Sequence, residues 1–227
     1  MSTIKFLAII LAIDAFCISL ALLFGDTPDR HFNEISFITL LSAIQLVACS
    51  ILSWKIFKLR SLSSSKDPAS KNNGLYIVWK VISLGFIYLT LDEVAQIHEG
   101  LDKLIHYLFH IKETRITDRI DDVIVGIYVI IGLITLVIFK REIKIYPRIN
   151  YYLIPIFTLL FGTVALDTIT ERHDVVRFFI EGKYFINLAF HWLRALEEIC
   201  KIIAGGILAS MFYYVYKSNR DLLSYRG

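Results

Sequence analysis

The sequence contains no C-x-x-C, no G-x-S-x-G, no E-x-x-H and no H-E-x-x-H. The first absence removes a redox motif. With only Cys17, Cys49 and Cys200, each inside an apolar run, no disulfide framework is expected either. The second removes the serine-hydrolase elbow. The last two remove the di-iron bundle and zinc-protease signatures. Strong net charge is also missing, because 24 basic residues offset 21 acidic ones for a formal +3. Without a basic field, nucleic acid is not an expected partner.

Charge is absent from long stretches as well, and that absence sets the fold class. Hydrophobic residues make up 56% of the 227, with mean hydropathy +0.60. A soluble domain has about 45–50% apolar residues. The excess lies in long runs rather than short alternations, which points to an all-α, polytopic membrane bundle in contact with a lipid bilayer. Six spans are expected, at about 4–25, 35–57, 74–98, 121–140, 149–173 and 184–217, within a single transmembrane domain. The first run is apolar except for Asp14. It is too long for a signal-peptide core and lacks a small-x-small cleavage site, so it is read as a retained helix. Lys80 lies near the start of the third span, where it can snorkel. Asp121 and Asp122 suit the N-terminus of the fourth, and Pro155 falls in the first turns of the fifth.

Orientation follows from Lys and Arg in the short loops. Thirteen lie on the side of the termini, including Lys55, Lys58, Arg60, Lys66 and Lys71, and Lys140, Arg141, Lys144 and Arg148. Eight lie on the other side, so both termini are expected in the cytoplasm. The 59–74 loop, rich in Ser, Lys and Asn, reads as a cytoplasmic linker. Over 100–120, Leu101, Leu104, Ile105, Leu108 and Ile111 recur at helical spacing opposite Asp102, Lys103, His106 and His110. That pattern predicts a short amphipathic helix on the outer surface.

One motif occurs twice. Leu91-Asp92-Glu93-Val94-Ala95-Gln96-Ile97-His98-Glu99 aligns without a gap on Leu166-Asp167-Thr168-Ile169-Thr170-Glu171-Arg172-His173-Asp174. A degraded third copy reads Asp26-Thr27-Pro28-Asp29-Arg30-His31, which suggests three repeated helical hairpins. Counting about 20 residues per span puts Asp92–Glu93, Asp167 and Glu197 at one depth, the outer edge of the hydrocarbon. Helical spacing places Asp92, Gln96 and Glu99 on one face, and Asp167, Thr170, Glu171 and Asp174 on another. His191, Arg194 and Glu198 share a third face, with Glu197 spaced to pair with Lys201. Helix capping does not account for the acids of the third and fifth spans. They sit at C-terminal ends, where the macrodipole disfavours negative charge.

The run at Leu91–Glu99 resembles one found in bacterial multi-pass membrane proteins with no assigned activity. The resemblance implies a six-span protein of the bacterial inner membrane and carries no function. Three functional readings remain. In the first, a metal-dependent membrane enzyme hydrolyses a lipid or head group. Asp92, His98, Glu99, Asp167, His173 and Glu198 hold the metal or its water, and Glu93 or Glu171 serves as base. Mixed imidazole and carboxylate ligands suit Zn, Fe or Mn. His98-Glu99-Gly100-Leu101-Asp102 is a near miss to a zinc motif, with Gly100 expected to end its helix. His106 and His110 have helical metal spacing. In the second, a proton- or cation-coupled carrier for a small molecule joins this outer cluster to Asp14 near mid-membrane. In the third, the cluster is a structural ion-pair network with Arg172, Arg194 and Lys201 as partners. Gly205-Gly206 is read as a site of close helix packing.

Overall fold

Long apolar runs become long helices in the computed structural model, which describes residues 1–32, 36–66, 74–110, 120–171 and 182–224. Among these residues there are eight helices and no strand. In chain order they are α1 (Thr3–Phe24), α2 (Phe37–Lys66), α3 (Ile77–Ala95), α4 (Ile97–Phe109), α5 (Ile120–Ile138), the single turn α6 (Lys140–Ile143), α7 (Asn150–Glu171) and α8 (Lys183–Ser224). Four helices are long and apolar enough to cross a membrane: Thr3–Phe24, Phe37–Ser63, Asn150–Thr170 and Lys183–Leu223. α3 carries Lys80, Asp92 and Glu93 within 19 residues, and the apolar part of α5 covers only Val123–Ile138.

The spine of the bundle is α8, whose 42 residues extend about 63 Å at 1.5 Å each. It packs against α1, α2 and α7. α3 lies on α2, while α5 rests on α4 and α6. Contacts along α8 tie it to α1, to α3 and to the segment between α6 and α7. Near one end Asn219 bonds Tyr146, then Tyr213 stacks on Phe6 at 4.2 Å and Phe212 meets Trp79 edge-on at 6.3 Å. Further along, Gly206 abuts Asp14, Lys201 reaches Glu93 at 3.2 Å, and His191 reaches Asp29 at 2.9 Å.

Polarity is reversed relative to a protein in water. Leu23, Phe161 and Val137 on the outer faces are 78%, 76% and 66% exposed, whereas Asp14, Ser53, Ser83 and Glu142 are buried. Such an arrangement is stable where the surroundings are themselves apolar and every internal polar group finds a partner. α2 and α3 show how. Ser50 donates to the carbonyl of Ser83 at 3.0 Å, and Ser83 donates to the carbonyl of Ser50 at 2.9 Å. Small side chains let the two backbones approach, and the hydroxyls bond across the gap.

The junction of α3 and α4 differs from the helical spacing read in the sequence. Gln96 adopts a left-handed conformation (φ 52°, ψ 46°), so α3 ends at Ala95 and a new helix begins at Ile97. Asp92, Gln96 and Glu99 therefore do not share one helical face. A non-glycine residue in this region costs about 1–2 kcal/mol. Two bonds from Asp92 offset that cost: its carbonyl accepts from the Gln96 N–H at 2.8 Å, and its carboxylate accepts from the His98 N–H at 2.9 Å. Gly100 does not end a helix, since α4 runs through it to Phe109. His110 then turns left-handed (φ 50°), so the expected i, i+4 helical pairing of His106 with His110 does not form. Asp121 and Asp122 lie in α5, next to its first described residue Ile120.

Candidate functional site

Asp92 lies at the end of one helix and the start of the next. Its carboxylate accepts from both the backbone N–H and the Nδ1–H of His98, at 2.9 and 3.0 Å. From its place at the C-terminus of α3 alone, Asp92 is not expected to cap a helix. The structure corrects this: the same carboxylate caps the N-terminus of α4, where the macrodipole favours negative charge.

Glu93 turns instead toward α8. Lys201 Nζ lies 3.2 Å from Glu93 Oε1 and 3.8 Å from Glu198 Oε2. One ammonium is thus shared by an acid of α3 and an acid of α8. Lys201, expected to pair with Glu197 by spacing, instead makes its short contacts to Glu93 and Glu198. Glu197 attracts it electrostatically.

The loop after α1 supplies a third acid. Asp29 accepts from Thr27 Oγ1 at 2.8 Å and from His191 Nδ1 of α8 at 2.9 Å. Burial pushes the Asp29 carboxyl up, but the hydrogen bond and charge of His191, with the Thr27 bond, outweigh it. The group is held below the ordinary carboxylate value. Asp26 pairs with Arg30, and His31 Nε2 donates to the Phe24 carbonyl at 3.2 Å.

A pattern emerges that residue spacing alone does not reveal. His98, His106 and His191 each engage an aspartate through Nδ1: His98 with Asp92, His191 with Asp29, and His106 with Asp102. His106 bonds the Asp102 carbonyl at 3.1 Å and has its carboxylate 3.0 Å away. An imidazole fixed in this way offers Nε2 as the base or ligand. In His106 that nitrogen is buried and without a partner.

The other expected site residues are spread more widely. Glu99 is within 3.2 Å of Lys103. Asp167 is partly buried near the end of α7 and is not without a partner; Arg194 is exposed on α8. Glu171 is the last residue of α7, and His173 and Asp174 lie outside the described residues. Among the described residues, no three His, Cys, Asp or Glu converge closely enough to hold a metal ion.

Two buried polar groups lie deeper. Asp14 of α1 is 1% exposed and accepts from Gln45 Nε2 of α2 at 2.8 Å. A Cβ at Gly205 would collide with Gln45 Oε1, and one at Gly206 would collide with Asp14 Oδ2. The glycine pair therefore admits these two side chains to the surface of α8. At the end of the bundle near the α6 turn, Glu142 is fully buried and accepts from Arg60 Nε and Nη2 at 2.7 and 2.8 Å and from Trp79 Nε1 at 3.1 Å. The sequence reading missed this group. Its only trace is one acid in an otherwise basic 140–148 loop, together with an arginine at the end of the second run.

Fold and site define a class: an all-helical chain with several helices apolar and long enough for a membrane, and acid–base pairs joining helix to helix. Within that class the chain matches the family described as "Domain of unknown function (DUF8692)" over residues 6–217, and it belongs to that family. No curated protein and no solved structure matches it.

Proposed function

We propose that the chain is a six-span, proton-coupled membrane carrier of the bacterial inner membrane with both termini in the cytoplasm. In this reading α3 and α5 cross with the four longer helices, in three hairpins, and the excess of Lys and Arg on the side of the termini supports the orientation. The observation that carries the reading is Lys201, held between Glu93 of α3 and Glu198 of its own helix. Two carboxylates compete for one ammonium. A proton arriving on Glu93 leaves Lys201 to Glu198 and releases α3 from α8; a proton arriving on Glu198 tightens the bond between the helices. Proton binding thereby selects between two packings, which is what a coupled carrier needs. Lys201 is five residues from Gly206, a rise of about 7.5 Å along α8, so this switch sits close to the Asp14–Gln45 pair. The substrate class is a small molecule or a lipid.

The test is a pH jump on proteoliposomes adsorbed to a solid-supported membrane. Wild type gives a transient charge displacement, and Lys201→Met and Glu93→Gln abolish it. An unchanged transient in both variants ends the carrier reading. The Asp92–His98 dyad favours a second reading, a metal-assisted hydrolase of lipid or head groups in which His98 Nε2 holds Zn, Fe or Mn, or serves as base. Transition metal retained by the purified protein after dialysis, and lost with His98→Ala, would favour it over the carrier.

A further inference from the structure

Asp14, the buried acid of α1, has one oxygen with a donor and one without. Gln45 Nε2 bonds Asp14 Oδ1, while Asp14 Oδ2 is buried with no hydrogen-bond partner. That oxygen is pressed against α8 where Gly206 removes the Cβ that would exclude it. On either side the surroundings are apolar. Within one turn of Gln45 on α2 and of Gly206 on α8 there is no charged residue, and the nearest on α8 is Lys201, already engaged by Glu93 and Glu198. The titratable groups closest along α1 and α2 are the thiols of Cys17 and Cys49.

A carboxylate here would carry charge on an oxygen with no donor, in a site closed to water. A charge so placed is expelled or neutralised. We infer that Asp14 is a proton-binding site: the side chain is held as the neutral acid, Oδ1 is the carbonyl that accepts from Gln45, and Oδ2 carries the proton against the backbone of α8. The glycine pair is the cradle for that neutral group. Loss of the proton leaves a bare charge against α8, and α1, which packs chiefly on α8, is the helix that must move. This deepens the carrier reading and rests on it only for its purpose, since the proton at Asp14 can be observed without transport.

The test is infrared spectroscopy of the full chain in lipid nanodiscs at neutral pH. Wild type should show the stretch of a protonated carboxyl, and Asp14→Asn should remove it. Gln45→Leu, which keeps Asp14 but withdraws the bond to its carbonyl, should move the band to higher frequency; this variant carries the test if Asp14→Asn does not fold. No such band in wild type, a band that survives Asp14→Asn, or one that Gln45→Leu leaves in place would overturn the inference. A flat pH-jump response with the Asp14 band intact defeats the carrier and leaves the proton site standing. A normal response with no Asp14 band defeats the proton site alone.

Discussion

At the scale of single residues, Asp92 serves two helices at once. Its carboxylate makes two bonds to His98, and its carbonyl holds the left-handed Gln96 in place. Asp92→Asn keeps an acceptor for the His98 N–H but removes the charge, and should cost about 1–2 kcal/mol. Asp92→Ala removes both bonds and leaves the α4 N-terminus open, for a loss of about 2–3 kcal/mol. Thermal unfolding in nanodiscs reads both. The expected order is wild type, Asn, Ala. Equal stability of the three would mean that the cap does not hold the junction. His98 itself is partly exposed, so His98→Ala should cost less than Asp92→Ala.

At the scale of elements, the contact between the loop after α1 and α8 depends on pH. Asp29 lies below its ordinary value of 3.8 in the folded chain, so its contribution is complete above that value and is lost as pH falls through the folded-state value beneath it. A hydrogen bond to a charged group contributes about 1.5–3 kcal/mol. The stability difference between wild type and Asp29→Asn should therefore shrink as the solution is made acid. A difference independent of pH would remove Asp29 as the titrating group. The elements themselves were largely legible in the sequence. The run expected at 4–25 is α1 at Thr3–Phe24, and the run expected at 184–217 is α8 at Lys183–Ser224, because uncharged apolar length is a local property. The break at Gln96 was not legible. It depends on a side chain four residues earlier capping a helix that has yet to begin, and neither Gln96 nor Gly100 signals it by type. The pairing of the acids with the histidines was not legible either. Asp29 and His191 are 162 positions apart, and only the antiparallel packing of α1 on α8 brings them together.

At the scale of the whole molecule, polar contacts occur at three levels of an otherwise apolar bundle: Asp29–His191 and Glu93–Lys201 toward one end, Asp14–Gln45 in the middle, and Arg60–Glu142–Trp79 toward the other. The last ties α2, α3 and α6 together and contains the best-buried acid among the described residues, with side-chain exposures of 15% for Arg60 and 0% for Glu142. Arg60 counted toward orientation as a loop charge, yet its guanidinium grips Glu142 with two parallel bonds, an arrangement lysine cannot reproduce. Removing one partner strands the other charge, so Glu142→Leu and Arg60→Met should each destabilise by about 3–5 kcal/mol. Removing both leaves no stranded charge, only Trp79 without its acceptor. The double variant should then lie well above the sum of the singles, recovering roughly half or more of the combined loss. Unfolding by added anionic detergent in mixed micelles measures all four corners of this cycle. Additive losses would show that the two groups act independently and that the loops at this end, not the ion pair, hold α2 to α6.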